Sequence, residues 1–155
     1  MELIILMGLQ ASGKSTFHRL HFAATHAYVS KDLLSNNKKP TRRQMQLVEE
    51  ALQAGQSVVV DNTNPTPVDR EPLIRLGHEY CAEVIGYYFE SSVRRSLERN
   101  KTRLGKARVP DVAIFVTAKK LVSPTFAEGF DTLYDVCITE NRSFEVRERD
   151  KHEVQ

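Results

Sequence analysis

The chain opens on an apolar run, Glu2-Leu-Ile-Ile-Leu-Met7, that stops at Gly8. Short unbroken runs of this kind read as strands buried on both faces, as in a parallel sheet. Comparable runs recur at Ala27-Tyr-Val-Ser30, Gln56-Ser-Val-Val-Val60, Glu83-Val-Ile-Gly-Tyr-Tyr-Phe89 and Val136-Cys-Ile138, with a short edge strand expected at Phe144-Glu-Val146. Helical stretches separate them. Thr16 to Ala24 lacks Gly and Pro. Thr41 is expected to cap a helix whose Met45, Val48, Ala51 and Leu52 share a face, with Gly55 stopping it. A third helix starts at Pro65-Thr-Pro67, runs to about Leu76 and ends at Gly77. A fourth is capped by Ser91 or Ser92 and reaches about Asn100. A fifth runs from Pro110-Asp111 to about Val122, where Ser123-Pro124-Thr125 breaks it. Residues 33–40 read as a loop or frayed helix, 130–134 as a connection, and the charged tail 147–155 as mobile. Strands alternating with helices predict an α/β fold: a parallel sheet flanked by helices, with ligands gathered at the C-terminal strand ends.

The residues after the first run change the picture from fold to chemistry. Gly8-Leu-Gln-Ala-Ser-Gly-Lys-Ser15 fits G-x-x-x-x-G-K-[ST], and it stands where such a loop must stand, between a strand and a helix. Glycines at both ends allow a tight nest of inward N–H groups. Gly8, Gln10, Ala11, Ser12, Gly13 and Thr16 would cradle phosphate, Lys14 would reach the β- and γ-phosphates, and Ser15 would ligate Mg²⁺. Asp61 ends the third run, where a carboxylate can support the same ion through water. Asp32 follows the second. Its position serves equally a general base for an acceptor hydroxyl and a cap for a helix starting at Leu33.

Composition adds less. A length of 155 residues suits one domain, and a hydrophobic content of 41% supports a packed core. Net charge is only +2, but it is segregated. From Arg94 to Lys120 nine bases face two acids, a local +7 that leaves −5 for the rest. If the fourth helix persists, Arg95, Arg99 and Arg103 share a face. The segment reads either as a solvated helix or as a lid (about 99–110) over donor phosphates, with Gly105 as its hinge. Cys81 and Cys137 read as buried free thiols, which points to a reducing, cytoplasmic setting. His18 and His21 read as exposed helix positions rather than a metal pair, and Tyr87-Tyr88-Phe89 as strand core. No run approaches the roughly 20 apolar residues that span a bilayer, and the first run lacks the basic flank of a signal peptide.

With these residues in view, the chain resembles the kinase domain of polynucleotide 5′-hydroxyl kinases, and more closely the animal type than the phage type. The resemblance runs from about Leu3 to Val146. It rests on Gly8-Leu-Gln-Ala-Ser-Gly-Lys-Ser-Thr-Phe17, Val29-Ser-Lys-Asp32, Val60-Asp-Asn-Thr-Asn-Pro65, Arg99-Asn100 with Arg103, and Ser123-Pro-Thr-Phe-Ala-Glu-Gly-Phe130. The first of these is shared by a vast superfamily; the Asp-Asn-Thr-Asn and Pro-Thr-Phe-Ala-Glu-Gly-Phe stretches are far more specific. The resemblance implies a P-loop NTPase-type three-layer sandwich, adenylate-kinase-like, with a basic helical lid on a kinase domain spanning 1–146. It implies ATP or another NTP with Mg²⁺, and a nucleic acid 5′-OH end, DNA or RNA, as partner. Lys14, Asp32 and Arg103 would be catalytic and Arg99 would clamp the donor. Lys31, Asp32, Asp61 and Asn64 would face the acceptor, and Ser15 and Asp61 the metal. No membrane partner is expected. The family's phosphatase and phosphopeptide-binding domains have no counterpart in these residues, so phosphatase and ligase steps would fall to separate proteins.

Two departures bear on the acceptor. Lys31 stands where the family often has Arg, which keeps the charge without the bidentate fork. Ser35 stands where phage-type members carry an Arg that contacts the acceptor phosphate. A P-loop kinase of a nucleoside, sugar or antibiotic, and an ATP-binding switch without catalysis, are the alternative readings.

Overall fold

The computed structural model describes residues 1–152. Its six-stranded sheet comprises β1 (Glu2–Gly8), β2 (Ala27–Val29), β3 (Val58–Asp61), β4 (Glu83–Phe89), β5 (Thr132–Ile138) and β6 (Phe144–Glu148), in the order β2-β3-β1-β4-β5-β6. The first five strands are parallel and β6 is antiparallel to β5. The helices are α1 (Lys14–His21), α2 (Pro40–Gln53), α3 (Pro67–Glu79), α4 (Val93–Lys101) and α5 (Asp111–Lys120). This is the P-loop NTPase fold expected from the sequence.

Strand pleating sends the apolar run of β1 into two cores. Leu3, Ile5 and Met7 join Val58, Val60, Val84 and Leu133 under α2 and α3, where Val48, Leu52, Leu73 and Ile74 are buried. Ile4 and Leu6 join Val59, Ile85 and Val136 under α1, where Phe17 and Phe22 are buried. Phe17 also meets Phe89 and Phe144 edge-on at 5.3 and 5.2 Å, which ties α1 to both β4 and β6. Because β1 is central, Gly8 emerges at the middle of the C-terminal rim, beside Asp61 on β3 and Phe89 on β4.

Several boundaries differ from the expectation, each for a local reason. Helix α2 begins with Pro40 at its first position and has no side-chain cap, so Thr41 lies inside it. Gly77 does not end α3. It is buried within the helix, where a Cβ would lie 2.7 Å from Val84 and 2.9 Å from Leu3, so its smallness lets helix and sheet approach. Strand β5 starts at Thr132 because its polar positions take partners; Asp135, for one, pairs with Arg149 at 2.7 Å. Strand β6 reaches Glu148, and Arg149 is further held by Ser123 and the Pro124 carbonyl at 2.8 and 2.5 Å, so the start of the charged tail is anchored; residues 153–155 lie outside the described residues. Cys81 is exposed at a left-handed turn between α3 and β4, not buried, and Cys137 is half-buried. His18 is buried, whereas His21 is exposed as expected. Among the described residues no helix is long and apolar enough to cross a membrane.

Gly86 in β4 is the tightest point between sheet and loops. A Cβ there would fall 2.7 Å from Leu133 and Met7 and 2.8 Å from Phe130. Gly86→Ala is expected to destabilise the fold by about 1–3 kcal/mol through overpacking. Urea unfolding checks this, and a midpoint equal to the parent's would show that Met7 yields without penalty.

Candidate active site

The Gly8–Ser15 loop is shaped by backbone that few side chains tolerate. Gly8 has φ +145°, and a Cβ on it would meet the Phe89 carbonyl at 2.9 Å. Ala11 (φ 58°) and Gly13 (φ 98°) are left-handed. The Gly8 N–H donates to the Thr63 carbonyl at 3.0 Å, so the loop after β3 fixes the point where the phosphate loop departs. Gln10 lies over α5, donating to Thr117 Oγ1 at 2.9 Å. Ser12 is buried.

Lys14 is folded back on this loop. Its Nζ donates to the Gly8 and Leu9 carbonyls at 3.0 and 2.6 Å. Burial pulls its pKa from 10.5 down to about 8; the Asp61 charge opposes that shift, the Arg103 charge adds to it and Asp32 opposes it. Three charged groups named from the sequence are therefore close enough to act on one ammonium. Ser15 donates to Asp61 Oδ2 at 2.8 Å, and Tyr28 donates to the same oxygen at 2.5 Å. Burial and the bond to Asp61 push the phenol up to about 12, so it remains a neutral donor. The ring of buried His18 lies 4.1 Å from that of Tyr28, and its pKa is lowered by burial. Asp61 is 5% exposed, and its Oδ1 has no protein donor among the described residues.

Asp32 lies within a single 3₁₀ turn, Lys31–Leu34, which is capped by Ser30 through the Asp32 N–H at 3.3 Å. Asp32 therefore caps nothing. Its carboxylate is exposed with no protein partner among the described residues, and it borders a cleft of about 410 Å³ shared with Lys14, Ser15, Lys31, Asp61 and Arg103. Asn64 also borders the cleft, but its side chain is committed to structure. The amide donates to the Leu6 carbonyl at 2.8 Å and the backbone is left-handed, so it shapes the cleft wall rather than presenting a free amide to it. Asn62, unnamed by the sequence reading, does reach across: Oδ1 accepts from the Lys31 N–H at 2.9 Å and Nδ2 donates to Gln44 at 2.5 Å.

The basic segment divides between two clefts. Helix α4 ends at Lys101, so Arg103 leaves the face of Arg95 and Arg99 and lines the cleft of Lys14 and Asp32, donating to the Ala107 carbonyl at 3.1 Å. Arg99 donates to the Ala11 carbonyl at 3.3 Å and, with Arg95, Gly13 and Thr16, lines a second cleft of about 760 Å³ on the loop's other side. The wall opposite is the β5–β6 hairpin, with Ile138, Glu140, Arg142 and Phe144. Nothing in the sequence reading had assigned this hairpin to a site. Arg70 was missed as well. It is wholly buried, paired with Glu128 at 3.2 Å, and donates to the carbonyls of Asn64 (2.9 Å), Pro65 (3.1 Å) and Val122.

A phosphate loop, a lysine on it, and a serine–aspartate pair beside an unpartnered carboxylate form a phosphoryl-transfer arrangement. Residues 3–121 match the model of a family described as AAA domain. The chain belongs to this AAA-domain family. It is a P-loop kinase domain, and the family binds ATP. The domain is 29% identical over 140 residues to the bifunctional polynucleotide phosphatase/kinase of Schizosaccharomyces pombe, covering 87% of this chain and 33% of that protein. It thus spans about a third of the length of the curated relatives it matches. In fold it is similar to a chain in the Pnkp1/Rnl/Hen1 complex, with TM-score 0.56, 24% identity, and 67% of this chain and 40% of that one covered. It is likewise similar to a gluconokinase from Sinorhizobium meliloti, with TM-score 0.64, 19% identity, and 90% and 83% covered.

Two predictions test the geometry. At pH near 8 about half of Lys14 is neutral in the free kinase domain, and triphosphate favours the charged form. ATP binding there is expected to take up protons, seen as a calorimetric enthalpy that changes with the ionisation heat of the buffer. The same uptake in Lys14→Met would place the proton elsewhere. The sign for folding follows from the depressed folded pKa: between about 8 and 10.5 the unfolded chain holds more protons, so Lys14 makes stability rise with pH. Separately, Tyr28→Phe removes one of two donors to a buried carboxylate and is expected to lower stability by about 1.5–3 kcal/mol in urea unfolding. An unchanged midpoint would mean that water replaces the phenol.

Proposed function

We propose that this domain transfers the γ-phosphoryl group of ATP to the 5′-hydroxyl of a polynucleotide. The observation that carries the reading is Asp32, a free carboxylate on the acceptor side of a cleft whose other side is Lys14 and Ser15. Its position suits a base that receives a hydroxyl proton. The resemblance to a polynucleotide phosphatase/kinase supports the choice of acceptor.

The residues present fit a nucleoside triphosphate with a hard cation. The loop's left-handed positions turn N–H groups inward, and the Ser15 hydroxyl and Asp61 carboxylate are the oxygen donors that Mg²⁺ takes. When bound, ATP would supply the phosphoryl group and Mg²⁺ would offset the negative charge of its phosphates. Lys14 exchanges its two carbonyl partners for phosphate oxygens and regains full protonation. Ser15 goes on donating its proton to Asp61, which leaves its oxygen lone pairs open to the ion. Tyr28 and Ser15 both hold Asp61 Oδ2 in place, which leaves Oδ1 as the oxygen that would support a hydrated cation. Asp32 takes the acceptor proton as the 5′-oxygen bonds to phosphorus and the bond to the bridging oxygen breaks, releasing ADP. Arg103 meets the charge that spreads over the transferring group, and Arg99 braces the loop from the donor side.

The test is label transfer from γ-labelled ATP to 5′-OH DNA and RNA oligonucleotides, beside free nucleosides and gluconate. Label is expected on the oligonucleotides. Asp32→Ala is expected to reduce transfer by about 10²-fold or more while ATP affinity stays within a few-fold. Label on a nucleoside or gluconate but on no oligonucleotide would move the domain to small-molecule kinases, and ATP binding without transfer to any of them would leave a switch.

A further inference from the structure

We infer that the acceptor strand leaves the cleft over the N-terminal end of α2, where Lys38, Lys39 and Arg42 grip its backbone phosphates; this rests on the 5′-kinase reading. From Lys31 to Val48 the chain carries five bases and one acid, and the acid is Asp32. Asn37, Lys38, Lys39, Arg42, Arg43 and Gln46 enclose a notch of about 390 Å³. Arg43 is engaged with Gln46 at 3.3 Å and Glu50 at 3.8 Å. Lys38, Lys39 and Arg42 are exposed, and no carboxylate among the described residues pairs with them.

The notch is rigidly placed relative to Asp32. The Asn37 N–H closes a turn onto the Leu34 carbonyl at 2.9 Å, and the Lys39 N–H donates to Asn37 Oδ1 at 3.0 Å. Buried Gln44 on α2 is bonded to Asn62, which holds the Lys31 N–H. Between Asp32 and Lys38 the chain can span at most about 20 Å, and these turns shorten it. A strand with its 5′ end at Asp32 therefore meets the notch within its first few nucleotides. The site also answers the departure at Ser35: without an arginine on the 3₁₀ turn, the exposed cations that follow Lys31 in this segment are Lys38, Lys39 and Arg42 at the start of α2. Arg103, Lys106 and Lys120 lie across the cleft, on the side of the transferring group. The notch has no aromatic side chain on which a base could stack, so its ligand is the phosphodiester backbone of a single strand, read without regard to sequence.

The test compares the parent with K38A/K39A/R42A, three exposed changes away from the reacting groups. One probe is a labelled 5′-OH single-stranded DNA of about ten nucleotides, within ordinary single-strand site sizes. Anisotropy is expected to show roughly tenfold or weaker binding by the variant, and a salt slope smaller by about 2, since each lost phosphate contact removes about 0.7. In transfer assays KM for the same strand should rise while KM for ATP and the rate on a nucleoside 3′-monophosphate stay as in the parent. Equal binding and equal salt slopes in the two proteins would overturn the strand path, as would a parent that binds no strand at low salt. Strand binding that follows the three residues without any phosphoryl transfer would uphold the path and remove the kinase reading instead.

Discussion

The site depends on one buried cation. Arg70 is completely inaccessible, and its guanidinium meets the Glu128 carboxylate and three backbone carbonyls. A charge so placed is tolerable only when every donor is used, and removal of one partner leaves the other stranded at a cost of about 3–5 kcal/mol. Burial pulls the guanidinium's pKa down and Glu128 pulls it back, though it stays charged. The partners belong to segments far apart in sequence: Asn64 and Pro65 after β3, Val122 after α5, and Glu128 before β5. Glu128 also closes a capping box with Thr125, so the Pro124-Thr-Phe-Ala-Glu-Gly-Phe130 stretch serves to present that carboxylate. Through Asn64 the clamp reaches the Leu6 carbonyl, and through neighbouring Thr63 it reaches the Gly8 N–H. One ion thereby sets the loop after β3 against the phosphate loop.

The second organising feature is the separation of the two clefts by the phosphate loop. Gly13, Thr16 and Arg99 face one side, and Lys14, Asp32 and Arg103 the other. Helix α4 and the turn after it span both, and the end of α4 at Lys101 allows the change of side. A continuous helix would have kept Arg95, Arg99 and Arg103 in one row, where like charges repel. With the helix ended, Arg99 stays on the loop backbone and Arg103 lines the other cleft. At Gly105 the backbone is left-handed, and a Cβ added there would meet nothing within 4 Å, so that side of the turn faces open space.

Much of this was legible before the structure, and the omissions have a common cause. The pattern of apolar runs located every parallel strand, most plainly β1 and β3, which are buried on both faces, whereas β2 and β5 are only partly buried. It cut β5 short at Val136, since Thr132 and Asp135 carry polar side chains whose partners are distant in sequence. The phosphate loop and Asp61 were readable because their chemistry is local. Arg70 was not, because an arginine in a helix reads as solvent-facing until Glu128 is brought to it. Tyr28 was invisible for a similar reason: in a short strand it reads as core, and only the β2–β3 pairing shows its hydroxyl at Asp61. Asp32 was located but left with two roles, and capping by Ser30 removes one of them.

Charge counting misled in the same way. The excess between Arg94 and Lys120 concealed a second basic cluster, because −5 for the remainder averages Lys31 to Arg43 with acidic segments elsewhere. In space the first cluster supplies Arg103, Lys106 and Lys120 to the cleft that holds Asp32, and the second forms a notch at the start of α2. Asp32, the sole acid between Lys31 and Val48, borders the cleft together with Lys14, Lys31 and Arg103. The fold thus brings positive charge from sequence-distant residues to the one carboxylate of that segment.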